Sequence, residues 1–208
     1  MTNPEPDNEI TREDLLQRVA LMETMIAEGR STTAHYGWIF VLWGLVDLSG
    51  MGWQWLQPHS YWVWPVTIGT GFLIQIAAVS LRRKTGEFGD RSTRSRSVQA
   101  VWSMMALGVS LYCAAAIVRH VTWQISYVAA ILMLVGLAHA TSSVILRWQA
   151  QAVVAALWWA GGIASFFLPG MYLYLLVVAE LLFGLVAFGL YAMLMERRRA
   201  AARVQHHA

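Results

Sequence analysis

Six apolar runs, at about 37–56, 61–81, 98–118, 123–146, 150–168 and 170–195, occupy most of the 208-residue chain. Each is about long enough to cross a ~30 Å hydrocarbon layer as a helix. The charges fall between them in a one-sided way. Arg12, Arg18 and Arg30 precede the first run, and Arg82, Arg83, Lys84, Arg91, Arg94 and Arg96 separate the second from the third. Arg147 separates the fourth from the fifth, and Arg197, Arg198, Arg199 and Arg203 follow the sixth. Threading six spans puts all of these on one face and leaves Arg119 alone on the other. Loops rich in Lys and Arg stay in the cytoplasm. The expected fold is therefore all-α: a polytopic membrane helix bundle of six transmembrane helices arranged as three hairpins, with both termini cytoplasmic.

Composition supports the bilayer and argues against nucleic acid. Hydrophobic residues make up 57% of the chain and charged residues 13%, against about 25% charged in an ordinary soluble domain. The net charge of +3 does not indicate nucleic acid, because the basic residues sit at span ends, where anionic headgroups account for them. A single cysteine, Cys113, excludes an internal disulfide and a multi-cysteine metal site. His206 and His207 are too few to suggest a metal, and no cofactor is expected. Residues 1–30 are polar and acidic, unlike a cleavable signal peptide, so the first run reads as an uncleaved anchor. A bacterial cytoplasmic (inner) membrane is the expected location.

Outside the six-helix domain (31–196) three pieces are expected. Residues 1–9 contain Pro4 and Pro6 and should be disordered. Residues 10–30 should form one cytoplasmic amphipathic helix, opened by Thr11 and Asp14 in a capping-box-like pair. Leu15, Val19, Met22 and Ile26 form its apolar stripe, with Leu16 beside them, and Glu13, Gln17, Arg18, Glu23 and Glu28 its polar face. The stripe, within residues 11–28, has three uses open to it: packing under the bundle or in the headgroup layer, a short homotypic coiled coil, or docking of a protein partner. Residues 197–208 read as a basic cytoplasmic tail.

The outer connections are short: Gln57 to Ser60, Arg119 to Thr122, and the turn-forming pair Pro169-Gly170. A large external ligand has little to hold. Trp and Tyr gather at both ends of the runs, as amphipathic rings do in headgroup layers. Trp158 and Trp159 instead fall mid-span, as packing residues or the wall of an apolar pocket.

The informative residues are polar ones inside the runs. Asp47 lies about 16 Å from the inner end of its span, Glu180 about 22 Å, His139 about 12 Å and Gln75 about 10 Å, at 1.5 Å rise per residue. A carboxylate at mid-bilayer costs roughly 3 kcal/mol on insertion scales. Each of Asp47, His139 and Glu180 has small residues on its own face, among them Gly44 and Gly50, Gly136, Ser142 and Ser143, and Gly184. Small residues allow close approach, and polar side chains then bond across the contact. Asp47, Gln75, His139, Ser142, Ser143 and Glu180 thus form a candidate intramembrane polar set, as interhelical glue or as a proton or cation relay. A triad of Asp47, His139 and a serine can be drawn, but no GxSxG, HExxH, Walker A or GxGxxG motif supports catalysis.

The segment Tyr36-Gly37-Trp38-Ile39-Phe40-Val41-Leu42-Trp43-Gly44, preceded by Met25-Ile26, resembles a group of uncharacterised bacterial six-span inner-membrane proteins. In that group an amphipathic arm leads into a first span with a Leu-Trp-Gly step, here Leu42-Trp43-Gly44. A basic loop, a Trp in the third span (Trp102) and a Gly- and Ser-bearing fourth span (Gly136 to Ser143) follow in similar order. The resemblance implies a six-helix inner-membrane protein and no activity. Two expectations follow: a non-enzymatic membrane component that senses, or assists a partner, through its cytoplasmic face, or a small proton-coupled carrier using Asp47, His139 and Glu180.

Overall fold

The computed structural model describes residues 14–21, 37–84, 93–119 and 125–206. Every regular element among them is helical. Residues 14–21 form α1. Then come α2 (Gly37–Leu56), α3 (Val63–Lys84), α4 (Thr93–Val118), α5 (Ile125–Leu146), α6 (Gln149–Ala164) and α7 (Gly170–Glu180). A π-helical segment, Leu181–Ala187, joins α7 to α8 (Phe188–His206) without a break.

Among the described residues, four stretches are long and apolar enough to cross a membrane: Val63–Arg82, Arg96–Ala116, Ser126–Leu146 and Gly170–Arg198. They correspond to the second, third, fourth and sixth runs. The first run, as α2, has 20 residues, but its Trp and Gly residues, Asp47 and Gln54 dilute its apolar character. The fifth, as α6, has 16 residues and stops at Ala164, short of the expected residue 168. The amides of Phe166 and Phe167 bond to Ile163 and Ala164 at 3.2 and 2.9 Å. The chain thereby tightens into turns before Pro169, whose ring disfavours helix in the residue ahead of it. α8 continues through the basic residues after 196 as a helix to His206, in keeping with the helix propensity of Ala and Arg.

Local chemistry sets the other boundaries. Pro65 occupies the first turn of α3, where its missing N–H is not needed. At the Pro169-Gly170 turn, Gly170 takes φ 52°, a region in which a Cβ is strained. Arg147 takes φ 49° at the end of α5. Its amide bonds to Val144 O at 3.3 Å, and that of Trp148 to Ser143 O at 3.0 Å. This is a Schellman cap with arginine where glycine is usual.

The most extensive packing is between α5 and α6, across that Arg147 turn. α2 packs on α3, the π segment and α8, α4 packs on α5, and α6 also meets α7 and the π segment. Three of these contacts bring backbone close at glycine. A Cβ on Gly189 would lie 2.6 Å from Gly37 O, and one on Gly37 would lie 2.8 Å from Gly189 O. A Cβ on Gly162 would lie 2.9 Å from the Met133 sulfur. One on Gly184 would run into the Trp158 indole. α3 and α4 are the least enclosed, presenting Phe72, Leu73, Ile76, Met104, Leu107 and Leu111 outward. At one end of the α2–α3 pair the Arg82 guanidinium lies 4.9 Å from the Trp38 ring centroid, a cation–π contact.

The α2–α8 crossing predicts a contrast between two glycines. Gly189→Leu should destabilise the protein by about 1–3 kcal/mol through overpacking against backbone. Gly108→Ala, where an added Cβ meets nothing within 4 Å, should be neutral or stabilise by up to about 1 kcal/mol. Thermal unfolding in detergent, followed by near-ultraviolet circular dichroism, measures both. Equal effects would mean that α2 and α8 do not cross at these glycines.

Candidate functional site

Each polar side chain singled out in the apolar runs has its own surroundings. Gln75 is taken by α2: Trp43 Nε1 donates to its Oε1 at 2.6 Å. Asp47, one turn along α2 from Trp43, lies within electrostatic reach of Cys113 on α4 and Tyr127 on α5. The Tyr127 hydroxyl donates to Cys113 Sγ at 3.1 Å and its ring stacks on Tyr112 at 5.5 Å. Ser143 turns back on its own helix, donating to Ala140 O at 2.7 Å.

His139 and Ser142 do come together. Both are fully buried, and Trp102 of α4 joins them. Its indole N–H donates to Ser142 Oγ at 3.0 Å, while its ring meets His139 edge-on at 4.8 Å. Phe40 of α2 stacks on the imidazole at 5.6 Å and Phe188 of α8 meets it edge-on at 5.2 Å. The imidazole sits in an aromatic box drawn from α2, α4 and α8. Neither of its ring nitrogens has a hydrogen-bond partner among the described residues.

Glu180 packs against α6. Its Oε1 rests against Gly161, where a Cβ would overlap it, and its Oε2 has no partner among the described residues. Four residues on, inside the π segment, Gly184 receives the edge of Trp158. Two reciprocal knobs therefore lock the pair: Trp158 of α6 into Gly184, and Glu180 of α7 into Gly161. π-helical turns within longer helices are frequent at functional positions.

Sequence reasoning missed Gln151 and Trp102. Gln151 is fully buried with both amide atoms unpartnered among the described residues. A signal for it existed: Gln151, Trp158 and Ser165 recur at seven-residue spacing on the buried face of α6. With His139, Trp158 and Glu180 it brings the unpartnered buried polar atoms to six. At about 1–3 kcal/mol each when truly unsatisfied, six such atoms would consume most of a typical stability of about 5–15 kcal/mol.

The apolar stripe of the arm is free of the bundle over its described part. Leu15 and Val19 are each 51% exposed and Leu21 is 61% exposed. Met22 and Ile26 lie outside the described residues. No group of three His, Cys, Asp or Glu side chains that could hold a metal ion occurs among the described residues. Comparison with protein-family models, with curated proteins and with solved structures returns no match.

Removing the Ser142 hydroxyl should leave the Trp102 N–H without an acceptor. Ser142→Ala is expected to destabilise by about 1–3 kcal/mol. Gly161→Ala, which pushes on the Glu180 carboxyl, should also destabilise by about 1–3 kcal/mol. Unfolding titrations in mixed micelles test both; wild-type stability in either variant would break the corresponding contact.

Proposed function

We propose that this chain is a six-span protein of the bacterial inner membrane, both termini cytoplasmic, acting as a non-enzymatic sensing or accessory component through its cytoplasmic face. α2, at 20 residues, has a helical length of about 30 Å and matches the hydrocarbon thickness. α6 falls short as a helix, and the turns at 165–167 carry its chain onward to Pro169. The outward apolar side chains of α3 and α4 suit lipid. The observation that carries the functional reading is the arm. Residues 14–21 are helical and every one of them is exposed, so the stripe begun by Leu15 and Val19 is not consumed by the fold and is available to a partner.

Deleting residues 1–30 should abolish capture of a specific partner from membranes while leaving insertion unchanged, and Leu15→Glu with Val19→Glu should reproduce the loss. A partner still captured after the deletion would remove the arm from the mechanism. A reporter fused after Arg203 should be active in the cytoplasm; activity restricted to the periplasm would overturn the topology.

A small proton-coupled carrier is the second reading, favoured by the buried, unpartnered atoms of His139 and Glu180. Asp47→Asn and Glu180→Gln discriminate. Unchanged stability with lost pH-dependent flux in vesicles supports a carrier, and lost stability alone supports structural glue.

A further inference from the structure

The unpartnered polar atoms do not scatter through the core. Their register can be followed from the glycine contacts. Gly162 faces Met133 and Gly136 faces Trp159, which fixes α5 antiparallel to α6. Gly161 faces Glu180 and Gly184 faces Trp158, which fixes α6 antiparallel to the last helix. In this register Gln151 lies nearest the Arg147 turn. Ser142 comes next, then His139, then Trp158, then Glu180. At 1.5 Å rise per residue, successive groups differ in height along the bundle by no more than about one helical turn, roughly 5 Å. One water molecule bridges two polar groups at about that separation.

We propose that a file of internal water molecules runs from the Arg147 end of the bundle to the carboxyl group of Glu180, held by Gln151, Ser142, His139 and Trp158. The donor and acceptor inventory suits water. Gln151 offers an amide donor and an acceptor, and a neutral His139 offers one of each. Trp158 offers a donor, and Glu180 Oε2 an acceptor. Water supplies both functions at each step, and buried waters typically serve polar groups of this kind. A ring-sized organic guest does not suit the site, because Phe40, Trp102 and Phe188 already pack around His139 with centroids at 4.8–5.6 Å.

Gln151, the outermost member, is buried one turn from the exposed Arg147 and Gln149, and the proposed file meets solvent there, past buried Leu146 and Trp148. Beyond Glu180, toward Pro169, the Ser165 hydroxyl is satisfied by Gly162 O at 2.7 Å, and the side chains enclosing the interior there include buried Leu173 and Ala129. Protons and water therefore exchange with Glu180 from the Arg147 side. This holds whichever reading of the activity is correct, because it depends on the packing of α5, α6 and the last helix and not on the arm.

The indole N–H of Trp158 reports on the file directly. The full-length protein, labelled with 15N-tryptophan and placed in lipid nanodiscs, is transferred to D2O, with Trp158→Phe used to assign the signal. The Trp158 N–H is expected to cross-relax with water and to exchange within minutes, despite full burial. Gln151→Met, which blocks the entrance with a side chain of similar size, should slow exchange by roughly tenfold or more. Ser165→Ala, on the same face beyond Glu180, should leave it unchanged. Should Gln151→Met not fold, Ala155→Val narrows the same passage and takes its place. Protection of the Trp158 N–H lasting a day in the wild type would show a dry core and overturn the proposal. So would exchange that the blocking variant does not slow, which would assign it to local opening. An arm deletion that abolishes partner capture leaves these rates untouched, so the two readings fail separately.

Discussion

Close approach of helix backbones at glycine is the contact on which the other features rest. For helices this apolar, in lipid, the hydrophobic effect does little to hold one against another, and van der Waals packing between complementary surfaces takes its place. Gly37 and Gly189 let α2 and α8 meet backbone to backbone, with Gly44 admitting Val186 a few residues along. That crossing brings Phe40 and Phe188 together at 5.2 Å, and these are two of the three rings around His139. Gly136 and Gly162 between α5 and α6, and Gly161 and Gly184 between α6 and the last helix, instead each receive a side chain: Trp159, Met133, Glu180 and Trp158. Each glycine receives a specific knob, so the contacts set register as well as distance.

The polar groups then divide by helix pair. On the α2–α3 side Gln75 serves as a bond to Trp43, and toward α4 and α5 Asp47 shares a neighbourhood with Cys113 and Tyr127. Between α5, α6 and the last helix the groups form a line with too few protein partners. This asymmetry argues against a single polar layer cutting across the bundle. Structural bonding lies on one flank and the unpartnered polar groups on the other, with the π segment beginning just after Glu180, where that line ends.

Much of the architecture was legible because length and hydropathy are properties of a run as a whole. The limits of α6 and α8 were not, because they depend on neighbours: a proline that tightens the preceding turns, and alanines that extend a helix beyond its apolar part. The cost of placing His139 and Glu180 within apolar runs was readable from residue type alone. Their separation from Asp47 and Gln75 was not, since depth along an axis says nothing about rotation around it. Gln151 was overlooked for a related reason. It stands near the end of its run, where a depth argument assigns a glutamine to the interface, and only its seven-residue relation to Trp158 and Ser165 marks it as interior.

Arg147 carries a consequence of its own. It is the sole Lys or Arg between the fourth and fifth runs, and it occupies a left-handed backbone position that glycine would fill with less strain. Glycine would relieve the bend and remove the charge, so one substitution at this position changes both. The α5–α6 turn thus ties its backbone strain to the one basic side chain between those two runs.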